Sequence, residues 1–165
     1  MLEAPPDDFF MRQALREAQD AGREGEVPIG CVIVKDGKVL ARGRNSMETL
    51  RDPTAHAEIL ALGAAGGALE NWRLDGCTVY VTLEPCPMCA GAMLNARVAK
   101  VVYGAKDKRL GALGSAYDLL NGNPLNRVIE VVPGILAETC LDLLKSFFKA
   151  ARTRKKPAPG AAESP

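Results

Sequence analysis

The stretch Glu84-Pro85-Cys86-Pro87-Met88-Cys89 sets the organisation of this chain of 165 residues. Its two cysteines are separated by two residues, and the proline after the first cysteine is typical of the first position of a helix. Thiols with this spacing at a helix start can bind one metal ion together. A Cys-x-x-Cys pair alone is equally typical of half a structural zinc site or of a redox pair. The rest of the chain must therefore supply the ligands that decide between these alternatives.

The missing ligand lies upstream, in Asp52-Pro53-Thr54-Ala55-His56-Ala57-Glu58, which contains the only histidine of the chain. His56, Cys86 and Cys89 would give a tetrahedral zinc three protein ligands and leave one position open, as in catalytic zinc sites. Glu58 is then a carboxylate that binds no metal and can move protons during hydrolysis. We therefore expect one catalytic zinc per subunit, with Glu58 as the acid–base group.

The composition is that of an ordinary globular protein, with 47% hydrophobic and 25% charged residues. Apolar runs are too short to span a membrane, and residues 1–10 carry acids and prolines where a signal peptide would have basic residues and an apolar core. The odd number of five cysteines also argues against a secreted disulfide framework. We expect a cytoplasmic protein with one domain over residues 1–156, in which Cys31, Cys77 and Cys140 are core residues.

Charge is unevenly placed along the chain, although the net charge is only +1. Residues 145–165 carry six basic side chains and one acidic one, or +5, which leaves −4 for the remainder. Such a basic end can contact phosphates, and a solvated tail is the alternative. We expect residues 157–165 to be disordered.

Hydrophobic periodicity predicts an α/β protein in which strands alternate with helices. The Asp-Gly pair at 36–37 predicts a tight hairpin between the first two strands. The whole pattern favours a mixed five-stranded sheet with helices on both faces and the first strand antiparallel to the rest. Helices that follow parallel strands begin at the same sheet edge, so the segments that hold His56 and Cys86 can converge. Strands are predicted at 28–34, 39–45, 78–82, 98–104 and 128–132, and helices from about 7 to 22, 52 to 62, from 87 onward, and 135 to 154.

From about residue 9 to 156, the chain resembles the bacterial tRNA-specific adenosine deaminases, a family of the zinc-dependent cytidine/deoxycytidylate deaminase superfamily. His-x-Glu followed by Pro-Cys-x-x-Cys is the signature of zinc nucleobase deaminases. Relatives of other specificity share the two zinc-motif stretches, whereas the segment 103–115 and the basic end with Phe147-Phe148-Lys149 resemble the tRNA enzymes in particular. The stretches that carry the resemblance are 26–30, 52–59, 79–93 and 103–115.

The resemblance implies a cytidine-deaminase-like three-layer α/β/α fold and the hydrolysis of adenosine to inosine at the wobble position of a tRNA anticodon. It also implies a homodimer, a tRNA anticodon stem-loop as partner, and transfer of protons by Glu58 from water to the base and to the departing ammonia. The sequence departs from the family at Lys106, where an arginine is common, and at Asn126-Arg127, where Asn-His is common. Substrate-binding roles are implied for Asn45, Ala57, Asp107 and Asn126.

Alternatives remain open at this point. Free guanine or cytosine deaminases carry nearly the same zinc motifs, and a zinc-stabilised binding module without catalysis would leave Glu58 without a purpose. Asn45 and Asp107 are also typical turn residues. The helical spacing of Phe147 and Phe148 favours core anchors over platforms that stack bases.

Overall fold

A computed structural model describes residues 5–155. The expected disordered tail at 157–165 and the last residue of the expected domain, Lys156, lie outside this part of the chain. Helices and strands alternate along it much as the periodicity predicts. The elements are α1 (Asp7–Arg23), β1 (Gly30–Lys35), β2 (Lys38–Arg44), α2 (Met47–Leu50), α3 (Ala57–Leu69), β3 (Thr78–Leu83), α4 (Pro87–Ala96), β4 (Lys100–Ala105), β5 (Glu130–Val132) and α5 (Ala137–Lys155).

The five strands form one mixed sheet in the order β2-β1-β3-β4-β5. β1 is antiparallel to both of its neighbours, whereas β3, β4 and β5 are parallel. β1 therefore runs antiparallel to the other four strands, which confirms the predicted direction of the first strand. The predicted hairpin is also present, because Asp36 and Gly37 both have positive φ, 50° and 72°, as the tight turn of a two-residue hairpin requires.

Helices cover both faces of the sheet, so the three-layer α/β/α prediction is confirmed. Side chains of one strand point alternately to the two faces: Val32 packs with α1, whereas its neighbours Cys31 and Ile33 pack with α3 and α4. Cys31, Cys77 and Cys140 are all buried and free, as expected for core residues. None of the helices within residues 5–155 combines the length and the hydropathy needed to cross a membrane.

Gly43 sets the position of α3, the helix whose first turn carries Glu58. A methyl group at Gly43 would overlap the carbonyl oxygen of Ala57 and lie 2.7 Å from the backbone nitrogen of Ala61. The backbone of α3 therefore rests directly on β2, and no other residue type leaves room for this approach. The close packing fixes the start of α3 relative to the sheet.

Some predicted boundaries are wrong. α3 begins at Ala57 and not at 52–54, because Asp52 Oδ1 accepts hydrogen bonds from the backbone N–H (2.8 Å) and the hydroxyl (2.7 Å) of Thr54 and closes a turn there. α3 also runs beyond residue 62 and ends before Glu70, whose φ is 51°. β5 contains three residues, fewer than predicted. The short helix α2 was not predicted from the sequence.

Replacing Gly43 by alanine tests this packing. We expect Gly43→Ala to lower the free energy of unfolding by about 1–3 kcal/mol, the usual cost of overpacking a core. Gly63→Ala is the matched control, because Gly63 lies within α3 with no atom near the added methyl group, and alanine there should stabilise the helix by roughly 0.5–1 kcal/mol. Urea unfolding of the three proteins measures both changes. Equal midpoints for Gly43→Ala and the parent would contradict the packing argument.

Candidate active site

The two zinc-motif segments meet at one edge of the sheet. His56 is the N-cap of α3, and Cys86 is the N-cap of α4, in which Pro87 and Cys89 belong to the first turn. β2 and β3, the strands that precede these helices, run in the same direction. Both helices therefore begin at the same edge, and the predicted convergence is confirmed.

His56, Cys86 and Cys89 form a cluster suited to zinc. His56 Nδ1 lies 3.6 Å from Cys86 Sγ and 3.5 Å from Cys89 Sγ, and the three ligand atoms all lie within 4.8 Å of one another. A tetrahedral zinc with its usual bonds to nitrogen and sulfur places these two atom types roughly 3.6 Å apart. The donor set and the spacing thus fit one zinc ion with an open fourth position.

The start of α4 favours a thiolate. Hydrogen bonds from the thiol and the backbone N–H of Cys89, together with the one from His56, lower the pKa of Cys86 to about 4. Backbone N–H groups at a helix N-terminus favour negative charge in the same way. Cys86 is therefore prepared to bind a cation, because the thiolate is the form that ligates metals.

Glu58 is buried in the first turn of α3, with 4% of its surface exposed. Burial raises the pKa of this carboxyl to about 7, against the lowering effects of its own backbone N–H and of the neighbouring His56. A carboxyl group in such surroundings can both take up and release a proton near neutral pH. Glu58 also lines the same cavity as His56 and Cys86.

Two residues of the metal cluster, His56 and Cys86, line an open cavity of about 590 Å³. One wall comes from the chain just before β1 and just after β2, a second wall from the loop after β4, and the outer rim from one face of α5. The floor carries His56, Ala57, Glu58 and Cys86, with Leu83 and Glu84 just before Cys86; the first wall carries Val27, Ile29, Asn45 and Met47; the second carries Lys106, Asp107, Arg109 and Leu110; and the rim carries Leu141, Leu144, Lys145, Phe148 and Arg152. Four of these lining residues are Lys or Arg and stand away from the floor, so the mouth is positively charged.

Three of the four predicted substrate residues line this cavity. Asn45 is 5% exposed, its Nδ2 donates to the carbonyl oxygen of Val27 at 3.4 Å, and its Oδ1 has no hydrogen-bond partner. Asp107 Oδ1 accepts the backbone N–H groups of Arg109 (2.9 Å) and Leu110 (3.2 Å). Asp107 therefore caps a turn, as one interpretation has it, and it also lines the cavity, while its role in substrate binding stays a prediction. Ala57 lies on the floor.

Asn126 is not brought together with the other three. It lines a separate depression of about 330 Å³ formed by residues 120–129. Its backbone has a positive φ of 51°, and its N–H donates to the carbonyl oxygen of Asn123. Within one chain, the position of Asn126 is thus that of a turn residue outside the metal cavity.

The interpretation of Phe148 as a core anchor is wrong. Its side chain is 46% exposed and lines the cavity, whereas Phe147 is half-buried. Leu141, Lys145, Phe148 and Arg152 share one face of α5, with the spacing of three and four residues that places side chains together on a helix. That spacing was visible in the sequence, but the presence of a cavity beside this face was not.

The protein class follows from these observations together with similarity to known families. The profile of the cytidine and deoxycytidylate deaminase zinc-binding region matches residues 5–105. The chain belongs to this deaminase family. It is 48% identical to the tRNA-specific adenosine deaminase of Bacillus subtilis (strain 168) over 152 residues, which cover 92% of this chain and 94% of the relative.

Solved structures show the same fold. One, from a study of A-to-I editing by tRNA:A34 deaminases at the wobble position of transfer RNA, has a TM-score of 0.80 and 43% identity and covers 82% of this chain and 99% of its own. The guanine deaminase of Bacillus subtilis has a TM-score of 0.61 and 34% identity and covers 93% and 99% of the two chains. The first structure is thus more similar to this chain in both sequence and fold.

Removing the thiols should remove the metal. We expect the protein to hold about one zinc per chain and the Cys86→Ser, Cys89→Ser double variant to lose it and to unfold more easily, because the ion joins two helices. Metal analysis by mass spectrometry and thermal unfolding measure the two effects. Cys77→Ala is the control, since Cys77 is buried outside the cluster. This variant should keep its zinc. Full zinc in the double variant would contradict the ligand assignment.

Proposed function

We propose that this chain hydrolyses adenosine to inosine at the wobble position of a tRNA anticodon. One observation carries the proposal: an acid–base carboxylate and a three-ligand metal cluster form the floor of a cavity with a cationic mouth. A floor of this kind suits the hydrolysis of a nucleobase, and cations at the mouth suit a substrate that continues as a polyanion. A free base would need only the floor.

The chemistry divides between the metal and Glu58. When bound by His56, Cys86 and Cys89, zinc supplies a Lewis acid that activates water near neutral pH. Glu58 takes a proton from the water that attacks C6 of the adenine and delivers it to N1. The same carboxyl group then carries a proton to the departing ammonia, so that adenosine and water become inosine and ammonia.

The first wall and the floor hold the base. In our proposal Asn45 Oδ1, buried and without a partner in the structure, accepts a hydrogen bond from the substrate, since a buried polar atom is otherwise costly. Ala57 packs against the base at the start of α3, and the apolar side chains of Val27 and Met47 shield it from water. The base must leave its stack to enter, which is easiest in a single-stranded loop such as an anticodon.

The second wall and the rim contact the flanking nucleotides. The cations Lys106, Arg109, Lys145 and Arg152 are placed for phosphates, and Phe148 is placed to stack on an unpaired base, a common form of single-strand recognition. Both side-chain hydrogen bonds of Asp107 use Oδ1, so Oδ2 can accept the 2′-hydroxyl of a ribose, a donor that DNA lacks.

The second candidate is hydrolysis of free guanine, which the similarity to a guanine deaminase raises. A panel of substrates separates the two activities: an RNA anticodon hairpin with adenosine at the wobble position, its DNA counterpart, and free adenine, guanine and cytosine. We expect inosine from the RNA hairpin, a lower kcat/KM on the DNA hairpin, and no turnover of the free bases. Turnover of guanine without inosine in the hairpin would overturn the proposal.

We also propose that residues 1–156 form one catalytic domain that acts in the cytoplasm as a homodimer. Five free cysteines support a reducing compartment. Exposed apolar side chains beside the depression at 120–129 support a second copy as their cover; Val128 is 93% and Leu125 48% exposed. Sedimentation equilibrium decides between one and two chains per particle, and a mass of one chain would rule out the dimer.

Glu58→Gln separates chemistry from binding. The amide has nearly the shape of the carboxyl group but cannot take a proton from water, so deamination should fall at least about 100-fold. Zinc content and affinity for the hairpin should stay unchanged. Glu70→Gln is the control, because Glu70 is exposed at the opposite end of α3 and should keep full activity. Near-normal single-turnover deamination by Glu58→Gln would exclude the proton-transfer role.

The rim predicts which basic residues of α5 bind phosphate. Lys145 and Arg152 line the cavity mouth, whereas Lys149 and Arg154 do not. We expect the Lys145→Ser, Arg152→Ser double variant to lose two phosphate contacts and to reduce the slope of log K for RNA binding against log salt by roughly 1.4. The Lys149→Ser, Arg154→Ser double variant, with the same change in charge, should keep most of the slope. Equal reductions in both would mean that only the net charge of the helix matters.

A further inference from the structure

We propose that Glu84 is a positioning residue that shapes the second wall of the cavity and thereby sets the affinity for RNA. Its buried carboxylate organises residues 107–115, hereafter the substrate loop, which follow β4 and contribute Asp107, Arg109 and Leu110 to the cavity. The inference rests on the proposed function in taking this wall to face a nucleic acid. It assigns Glu84 a role beyond its place in the zinc motif.

Glu84 holds both ends of the substrate loop. Its Oε2 accepts the backbone N–H of Asp107 at 3.0 Å, and its Oε1 accepts those of Leu113 and Ser115 at 3.1 and 3.2 Å. The side chain is 2% exposed. A buried carboxylate is stable only when such donors surround it, and the loop is in turn wrapped around the carboxylate that binds it.

The same anchor ties the loop to the metal ligand Cys86. The N–H of Glu84 donates to the carbonyl oxygen of Ala105 at 2.8 Å, and the carbonyl oxygen of Pro85 accepts the N–H of Ala112 at 2.8 Å. Pro85, which directly precedes Cys86, therefore holds the loop by its backbone, and the backbone N–H of Glu84 holds the end of β4 just before the loop. Floor and second wall thus share one short segment, and this sets the distance between the reacting base and the contacts to its neighbours.

The substrate loop packs so closely against Glu84 that its nearest residue, Gly111, has no room for a side chain. A methyl group at Gly111 would overlap the carboxylate of Glu84 and the carbonyl oxygen of Asp107. Gly111 is therefore required by the close approach of the loop to Glu84. Gly111→Ala disturbs the same contact from the opposite side and provides an independent test.

Glutamine cannot replace Glu84, although its shape is nearly the same. If the amide nitrogen takes the position of Oε2, it faces the N–H of Asp107. If it takes the position of Oε1, it faces the N–H groups of Leu113 and Ser115. Either orientation sets donor against donor and leaves at least one loop N–H without its carboxylate acceptor, which favours opening of the loop.

A positioning role and a purely structural role differ in what Glu84→Gln changes. If the residue only stabilised the fold, the variant would have fewer active molecules, with a lower kcat per chain and an unchanged KM. If it positions the substrate loop, KM for the RNA hairpin rises while kcat per bound zinc is kept. Tyr80→Phe is the matched control for lost stability, because it removes a hydrogen bond from the hydroxyl of this β3 residue to Asp7 of α1 (2.7 Å), a contact that involves no residue of the substrate loop.

The experiment measures KM and kcat per zinc on the RNA hairpin, binding of the hairpin by fluorescence anisotropy, and hydrogen exchange of the loop amides. For Glu84→Gln and Gly111→Ala we expect KM and Kd to rise about tenfold, kcat per zinc to stay within about twofold, and exchange at 107–115 to become faster. Tyr80→Phe should change none of the three. Unchanged KM, Kd and loop exchange in Glu84→Gln would overturn the proposal. If Glu84→Gln does not fold, unchanged KM, Kd and loop exchange in Gly111→Ala would overturn it.

Failure of the proposed function gives a different result. If the parent protein forms no inosine, the proposed function fails, and hairpin binding and loop exchange still decide the role of Glu84. A raised Kd with faster loop exchange then supports it. An unchanged Kd overturns it.

Discussion

The convergence of two helix starts at one edge of the sheet is the constraint on which the rest of this structure depends. α3 and α4 both follow strands that run in the same direction, so His56 and Cys86 reach the same place although they are distant in sequence. Two thiolates cancel the charge of a zinc ion, and the positive ends of two helices favour the thiolate form. The metal site and the packing of the layer that contains α3 and α4 are therefore one arrangement.

Buried carboxylates hold the two walls of the cavity in place. Glu26 is 1% exposed and accepts the backbone N–H groups of Glu48 and Thr49, which holds the short helix α2, with Met47 at its start, close to Asn45. Glu84 does the same for the loop at 107–115 on the other side. Each carboxylate reaches the backbone of a segment far away in sequence. The rigid floor thus belongs to regular helices, and the walls belong to irregular segments that single side chains hold in place.

Much of this could be predicted from the sequence, since it depends on local patterns. Short apolar runs predicted β1, β3 and β4, the Asp36-Gly37 pair predicted the hairpin, and the parallel strands predicted that His56 and Cys86 would meet. The features that could not be predicted depend on tertiary contacts. α2 forms beside the distant Glu26, the start of α3 shifts because Asp52 closes a turn, and Phe148 is exposed because a cavity lies beside its face of α5. Glu84 had no visible role in the sequence, since its partners are backbone groups of a later loop.

In this structure one zinc ion would join the starts of α3 and α4 and keep a position open for water. X-ray absorption spectroscopy at the zinc edge measures this coordination directly in the purified protein. We predict two sulfur ligands at about 2.3 Å and two nitrogen or oxygen ligands at about 2.0–2.1 Å, one from His56 and one from solvent. A shell of four sulfur ligands, or one without sulfur, would contradict coordination by His56, Cys86, Cys89 and one water molecule.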